Sequence, residues 1–173
     1  MNVSSGDYIS PDLYFSYSQF MVFDASVKLP GCDWTDAHIS QGFARRHGVV
    51  AVSTLLEFGT ARVAVTLAAP DPHSLQAYTR VIAVPLAVTS GTLSIQGPEE
   101  DAGTRQVRVA KGHYRATIAQ VVRDAEHGDD EDEKEDIRIW FEKVDVPVMR
   151  SRLLVMDDGL DPPTPLVETA DIA

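Results

Sequence analysis

The chain has 173 residues, 44% of them hydrophobic, which is enough to bury one full-sized core and cramped for two domains. Its single cysteine, Cys32, rules out an intrachain disulfide and a zinc ribbon, and a formal net charge of -11 disfavours direct binding of nucleic acid or an anionic membrane. Residues 1–11 lack the basic start and apolar run of a secretory signal, and no apolar stretch is long enough to span a bilayer, so a cytoplasmic protein is expected.

After a flexible N-terminus over residues 1–12, the chain alternates apolar and polar residues in short runs broken by turn residues, the pattern of an antiparallel sandwich or barrel. The first run, residues 13–23, puts Leu13, Phe15, Tyr17, Gln19, Met21 and Phe23 on one face. Tyr14, Ser16, Ser18, Phe20 and Val22 form the other, which predicts one strand covered on both sides for part of its length, with Tyr17 and Gln19 in the core. A connection containing Pro30 and Gly31 leads to Asp33, Trp34, Thr35 and Asp36. Thr35 is the expected N-cap of a short helix over 37–46, with Asp36 in its first turn, Ile39 and Phe43 four apart on one face, and Gly48 closing it.

Residues 49–58 and 61–68, joined through Gly59 and Thr60, read as a hairpin. Strands are expected over 79–88, 92–96, 105–110 and 114–122, with Pro85 marking an edge or a bulge because it cannot donate to a ladder. Between Asp124 and Asp136 stand nine acids (Asp124, Glu126, Asp129, Asp130, Glu131, Asp132, Glu133, Glu135, Asp136) against Lys134, and this stretch reads as an acidic loop. A strand over 137–144 then places Trp140 and Phe141 on opposite faces, and a short strand over 153–156 ends a domain spanning 13–156. From Asp157 onward there are five acids, no base, and Pro162, Pro163 and Pro165, so 157–173 is expected to be a disordered tail, or one that drapes over the sheet. The rest of the chain carries 12 acids and 14 bases, so the negative charge is concentrated in one loop and one tail on a near-neutral body. Such blocks serve as solvated, solubilising segments, and they also steer encounter with a basic protein partner.

No catalytic residue, metal site or cofactor is assigned. The histidines His38, His47, His73, His113 and His127 are dispersed, with no H-x-H or H-E-x-x-H spacing to bring two imidazoles to one metal. There is no G-x-S-x-G elbow, no P-loop, no G-x-G-x-x-G and no calcium loop, and Cys32 beside a proline-glycine turn reads as a small hydrophobe.

The stretches SYSQFMVFDAS (16–26) and CDWTDAHISQGFARRHGVVAVS (32–53) resemble the ComJ family, the DNA-entry nuclease inhibitors of bacterial competence systems. YTRVIAVPLAVTSGTLSIQG (78–97) resembles the family's strand-Pro-strand segment, and VAKGHYRATI (109–118) its strand, K-G-x-Y, strand segment. The most specific signal is S-Y-x-Q-F together with D-W-T-D, and the resemblance covers about residues 14–146. It implies a protein that binds a metal-dependent, non-specific nuclease and holds it inactive, or, in a chain with its own acidic insert, the immunity protein of a nuclease toxin.

The expected fold is therefore all-β, an antiparallel sandwich of about eight strands with one short helix after the first, acting as a non-enzymatic inhibitor whose partner is a cognate nuclease with a basic cleft. The candidate partner-binding residues are Asp33, Trp34 and Asp36 in the helix-entry loop, and Asp129, Asp130, Glu131, Asp132 and Glu133 in the acidic run. For Trp34 the competing reading is packing against the sandwich, with Thr35 serving only as a cap. Two other functions stay open: a β-sandwich hydrolase with a dispersed carboxylate or histidine site, and a C2-like ligand-binding module.

Overall fold

The computed structural model describes residues 7–10, 12–101, 103, 105–123, 133–147 and 150–168. Along the chain run β1 (Tyr8–Ile9), β2 (Leu13–Phe15), β3 (Gln19–Asp24), α1 (Asp36–Gln41), β4 (Phe43–Arg46), β5 (Val49–Ser53) and β6 (Gly59–Thr66). A 3-10 helix (Pro72–Ala77) follows, then β7 (Arg80–Val88), β8 (Thr92–Gln96), β9 (Gln106–Arg108), β10 (Gly112–Arg123), β11 (Lys134–Val144) and β12 (Arg152–Val155). Seven strands form one sheet in the order β1-β6-β11-β10-β7-β12, with β2 on the same edge of β6 as β1, and five form a second in the order β4-β5-β3-β8-β9.

The core lies between the sheets. Phe15, Val63, Ile82, Ile118, Ile139 and Phe141 from the first meet Phe20, Val22, Val50, Val52 and Ile95 from the second, all of them buried. Ring stacking of Tyr114 on Phe141, with centroids 4.3 Å apart, adds to that packing. On the outer face of the first sheet Trp140 is buried beneath Leu75, Tyr78 and Val155, so the 3-10 helix and β12 cover the aromatic ring that cannot reach the main core.

The fold is mainly β, as expected, and four details differ from the sequence reading. The first is that residues 13–23 are two strands in different sheets. Tyr17 and Ser18 adopt φ of 55° and 53°, and this two-residue turn shifts the alternation by one, so Leu13 and Phe15 enter the core before it and Phe20 and Val22 after it. Met21 and Phe23 then face outward and are covered by Val27, Cys32 and Trp34.

Second, the helix comes after the third strand and ends at Gln41 because Gly42 (φ 85°) takes the left-handed capping position, which leaves 43–46 free to form β4. Third, β5 and β6 are no hairpin: residues 54–58 carry the chain from one sheet to the other. Fourth, β11 pairs in parallel with β6 while its hairpin partner β10 is antiparallel, so the sandwich is mixed, with twelve strands among the described residues. Pro85 behaves as expected: β12 covers β7 only over Val81–Ala83, and Pro85 stands beyond that, on the open edge.

Candidate protein interface

Residues 25–35 cross the outer face of the second sheet before entering α1. Arg46 secures the crossing by donating to the carbonyls of Leu29 and Gly31. Cys32 is half-buried there, and burial raises its thiol pKa, partly offset by the Arg46 charge, so it is a packed thiol and not an activated one. Trp34 packs on the Met21, Phe23, Val49 and Ala51 cluster and donates through Nε1 to Gln19 Oε1 at 3.1 Å. The indole packs against the sandwich, half-buried as a wedge, while Asp33 and Asp36 on either side of it are exposed and make no ion pair among the described residues. Thr35 is the N-cap, and the His38 imidazole reaches back so that Nδ1 accepts from Thr35 N at 3.0 Å.

The acidic run divides. Glu135 and Asp136 belong to β11: Asp136 pairs with Arg123 across the hairpin, and Glu135 is fully buried. Glu133 is exposed at the root of the connection, whereas Asp129, Asp130, Glu131 and Asp132 lie outside the described residues. The anchor points Arg123 and Lys134 face each other in register, so the run leaves and re-enters the sheet at one place.

That place is the end of the sandwich where Trp34 sits. Gln19, which holds the indole, pairs with Ser53. The Ser53 carbonyl accepts from Gln120 Nε2 at 2.9 Å, and the same amide donates to Glu135 Oε1 at 2.8 Å. Glu135 Oε2 in turn accepts from the backbone N–H of Leu55 (3.0 Å) and Leu56 (3.4 Å), fixing the link that crosses between the sheets. Burial pushes the Glu135 carboxyl pKa upward, and the hydrogen bonds from Gln120 and the two backbone amides offset this only in part. Arg80 completes the polar core by donating to Ser53 Oγ at 2.7 Å and forming an ion pair with Asp157 at 3.0 Å. Residues 157–168 continue along the fold, with Leu160 buried, Val167 exchanging hydrogen bonds with the Gln41 side chain, and Glu168 paired with Arg45.

Two residues that the sequence reading did not single out as candidates stand at this end. Tyr17, expected in the core, is 74% exposed, and Phe58 is 70% exposed. They belong to adjacent turns, because Ser18 N donates to the carbonyl of Glu57 at 2.9 Å. The Ser16–Gln19 turn has positive φ at both central residues, the pattern of a type I′ turn that Asn-Gly ordinarily fills. Placing Tyr and Ser there costs about 1–2 kcal/mol per residue. Strained backbone of this kind clusters at functional sites. Only the S-Y-x-Q-F motif hinted at it in the sequence. This end thus carries two exposed aromatic rings and a half-buried indole, with Asp33, Asp36, Glu57 and Glu133 around them. Among the described residues no three His, Cys, Asp or Glu side chains converge to hold a metal ion.

A family model for competence protein J (ComJ) matches residues 12–142. The chain belongs to the ComJ family. The matched span takes in the Tyr17 turn, Trp34, Phe58 and Glu135, and leaves β12 and the C-terminal segment outside it. A solved structure of ComJ from Bacillus subtilis, described as the inhibitor of the DNA-degrading activity of NucA, has the same fold with a TM-score of 0.63 and 24% identity, covering 80% of this chain and 98% of that one. A second structure, crocagin biosynthetic gene J, is 20% identical with a TM-score of 0.48, covering 78% of this chain and 97% of its own. No curated protein matches the chain.

Proposed function

We propose that this ComJ-family chain is a cytoplasmic protein inhibitor of a bacterial nuclease, that it performs no chemistry of its own, and that it acts by docking the Tyr17, Trp34 and Phe58 end of the sandwich into the nuclease's basic catalytic cleft. The observation that carries this reading is the gathering of solvent-facing aromatic rings with carboxylates that make no ion pair among the described residues, at the end from which the acidic run emerges. Aromatic side chains supply the anchoring energy of most protein interfaces, and a ring of carboxylates matches a surface built to hold phosphates. The related inhibitor of NucA supports a nuclease as the partner class. On this reading Glu135 and Gln120 are positioning residues, holding residues 54–58 in the conformation that presents Phe58.

The test is plasmid degradation by the nuclease encoded beside this gene, titrated with purified protein. Inhibition is expected to saturate at a fixed molar ratio and to weaken as salt rises from about 50 to 500 mM, because added ions screen the carboxylates. Replacement of Asp129, Asp130, Glu131, Asp132 and Glu133 by Ser should slow association and raise the ratio needed. Undiminished degradation at a large excess of the protein would overturn the proposal.

A further inference from the structure

On the outer face of the larger sheet, away from the aromatic end, lies a cavity of about 810 Å³ between the 3-10 helix and β12. Its apolar wall includes Leu75, Leu154 and Val155, and its charged side chains are Arg115, Arg150, Arg152 and Glu142. The volume falls in the range of small-molecule sites, and the lining combines apolar side chains with a few charged ones. The charge is opposite to that of the molecule: three arginines against one glutamate, in a chain of net charge -11. Arg115 is paired with Glu142 at 3.1 Å, whereas Arg150 and Arg152 make no ion pair among the described residues, although the chain holds 26 acids.

β12 is irregular where it borders the cavity. The register of β12 on β7 shifts between Leu153 and Val155, so Leu153 packs into the main core and Val155 joins the outer cluster, while Leu154 is left lining the cavity. Bulges of this kind re-aim side chains next to binding sites. Arg150, Arg152, Leu154 and Val155 all lie C-terminal to the span 12–142 that the ComJ model matches.

We propose that this cavity binds a small amphiphile with one anionic head, the head held by the guanidinium groups of Arg150 and Arg152 and the apolar body laid against Leu75, Leu154 and Val155. Guanidinium forks match carboxylate and phosphate oxygens two at a time. The site is separate from the proposed nuclease interface, and its test does not depend on that reading.

The probe is 1-anilinonaphthalene-8-sulfonate, which combines an aromatic body with a sulfonate, followed by fluorescence against the full chain. Saturable binding at one site per chain is expected, weakened at least about tenfold in the Arg150→Gln/Arg152→Gln double variant, where two charge-assisted contacts are lost. The uncharged N-phenyl-1-naphthylamine should bind both proteins alike, and Leu154→Asp should weaken both probes. Displacement by decanoate or by decyl phosphate distinguishes a carboxylate from a phosphate head. Absence of saturable binding, or equal affinity of the anionic probe for the wild-type and double-variant proteins with unchanged melting temperatures, would overturn the proposal.

Discussion

Asp24 accepts hydrogen bonds from Thr89 N (2.7 Å), Thr89 Oγ1 (2.6 Å), Ser90 N (3.2 Å) and Ser26 N (3.2 Å), closing the far end of the sandwich. Burial alone would raise its pKa, but the donors from Ser90, Thr89 and Ser26 outweigh it and hold the carboxyl well below the usual carboxylate range. A lowered folded pKa stabilises the fold above the unfolded value of about 3.9 and loses that contribution as pH falls below it. Asp24→Ala should therefore cost about 3 kcal/mol in urea unfolding at pH 7, since several buried donors lose their acceptor, and the gap from wild type should narrow below about pH 4. Glu135 has the opposite sign. Its raised pKa means that the protonated form suits the fold, so its contribution is full below about pH 4.3 and is lost as pH rises through the folded value. In thermal melts the wild type should lose ground to Glu135→Gln between pH 5 and pH 8, and a constant difference across that range would contradict the assignment. Neither role was legible from sequence: Asp24 stood just past the end of a strand run and Glu135 in a charge block, and only tertiary burial separates Glu135 from the exposed Glu133 two residues before it.

At the scale of elements, periodicity located most of the strands, though not β1 in the expected flexible N-terminus or β4 in the expected helix, because alternation records which side chains face a core whatever sheet they belong to. What it could not show was a turn hidden inside an apolar run. Residues 13–23 read as one strand since neither Tyr17 nor Ser18 is the Asn or Gly that a turn with positive φ favours, and the reversal is paid in backbone strain. The double substitution Tyr17→Asn/Ser18→Gly, which installs the residue types this turn favours, should stabilise the protein by about 1–2 kcal/mol while weakening inhibition, a trade between stability and function that a purely structural turn would not show. The helix boundary is misread for a related reason, since Gly42 and Gly48 are equally good closing residues by type and only the backbone shows which one takes the cap. Glycine is required most strictly at Gly97, where a Cβ would overlap the Tyr14 carbonyl. There Glu100 accepts from Gly97 N and Tyr14 N and pairs with the buried Arg105, tying β2 to the β8–β9 connection. Gly97→Ala should cost about 3 kcal/mol or more, readable as a fall in the urea midpoint.

For the whole molecule, Trp34 and the root of the acidic run at Arg123 and Lys134, almost a hundred residues apart in sequence, come to one end because the β10–β11 hairpin and the β3–β5 pair both terminate there. That convergence depends on how strands are shared between sheets, which no local pattern encodes, and so Trp34 and the acidic run were legible singly while Tyr17 and Phe58 were not. The most direct measurement is calorimetric titration of the cognate nuclease with wild type and with Tyr17→Ala and Phe58→Ala. Both substitutions remove solvent-exposed rings and should leave the melting temperature within a few degrees of wild type. One-to-one binding is expected, weakened by each variant about ten- to a hundredfold, the usual range for an aromatic anchor. Binding at wild-type strength by both variants would contradict it and move the interface away from this end.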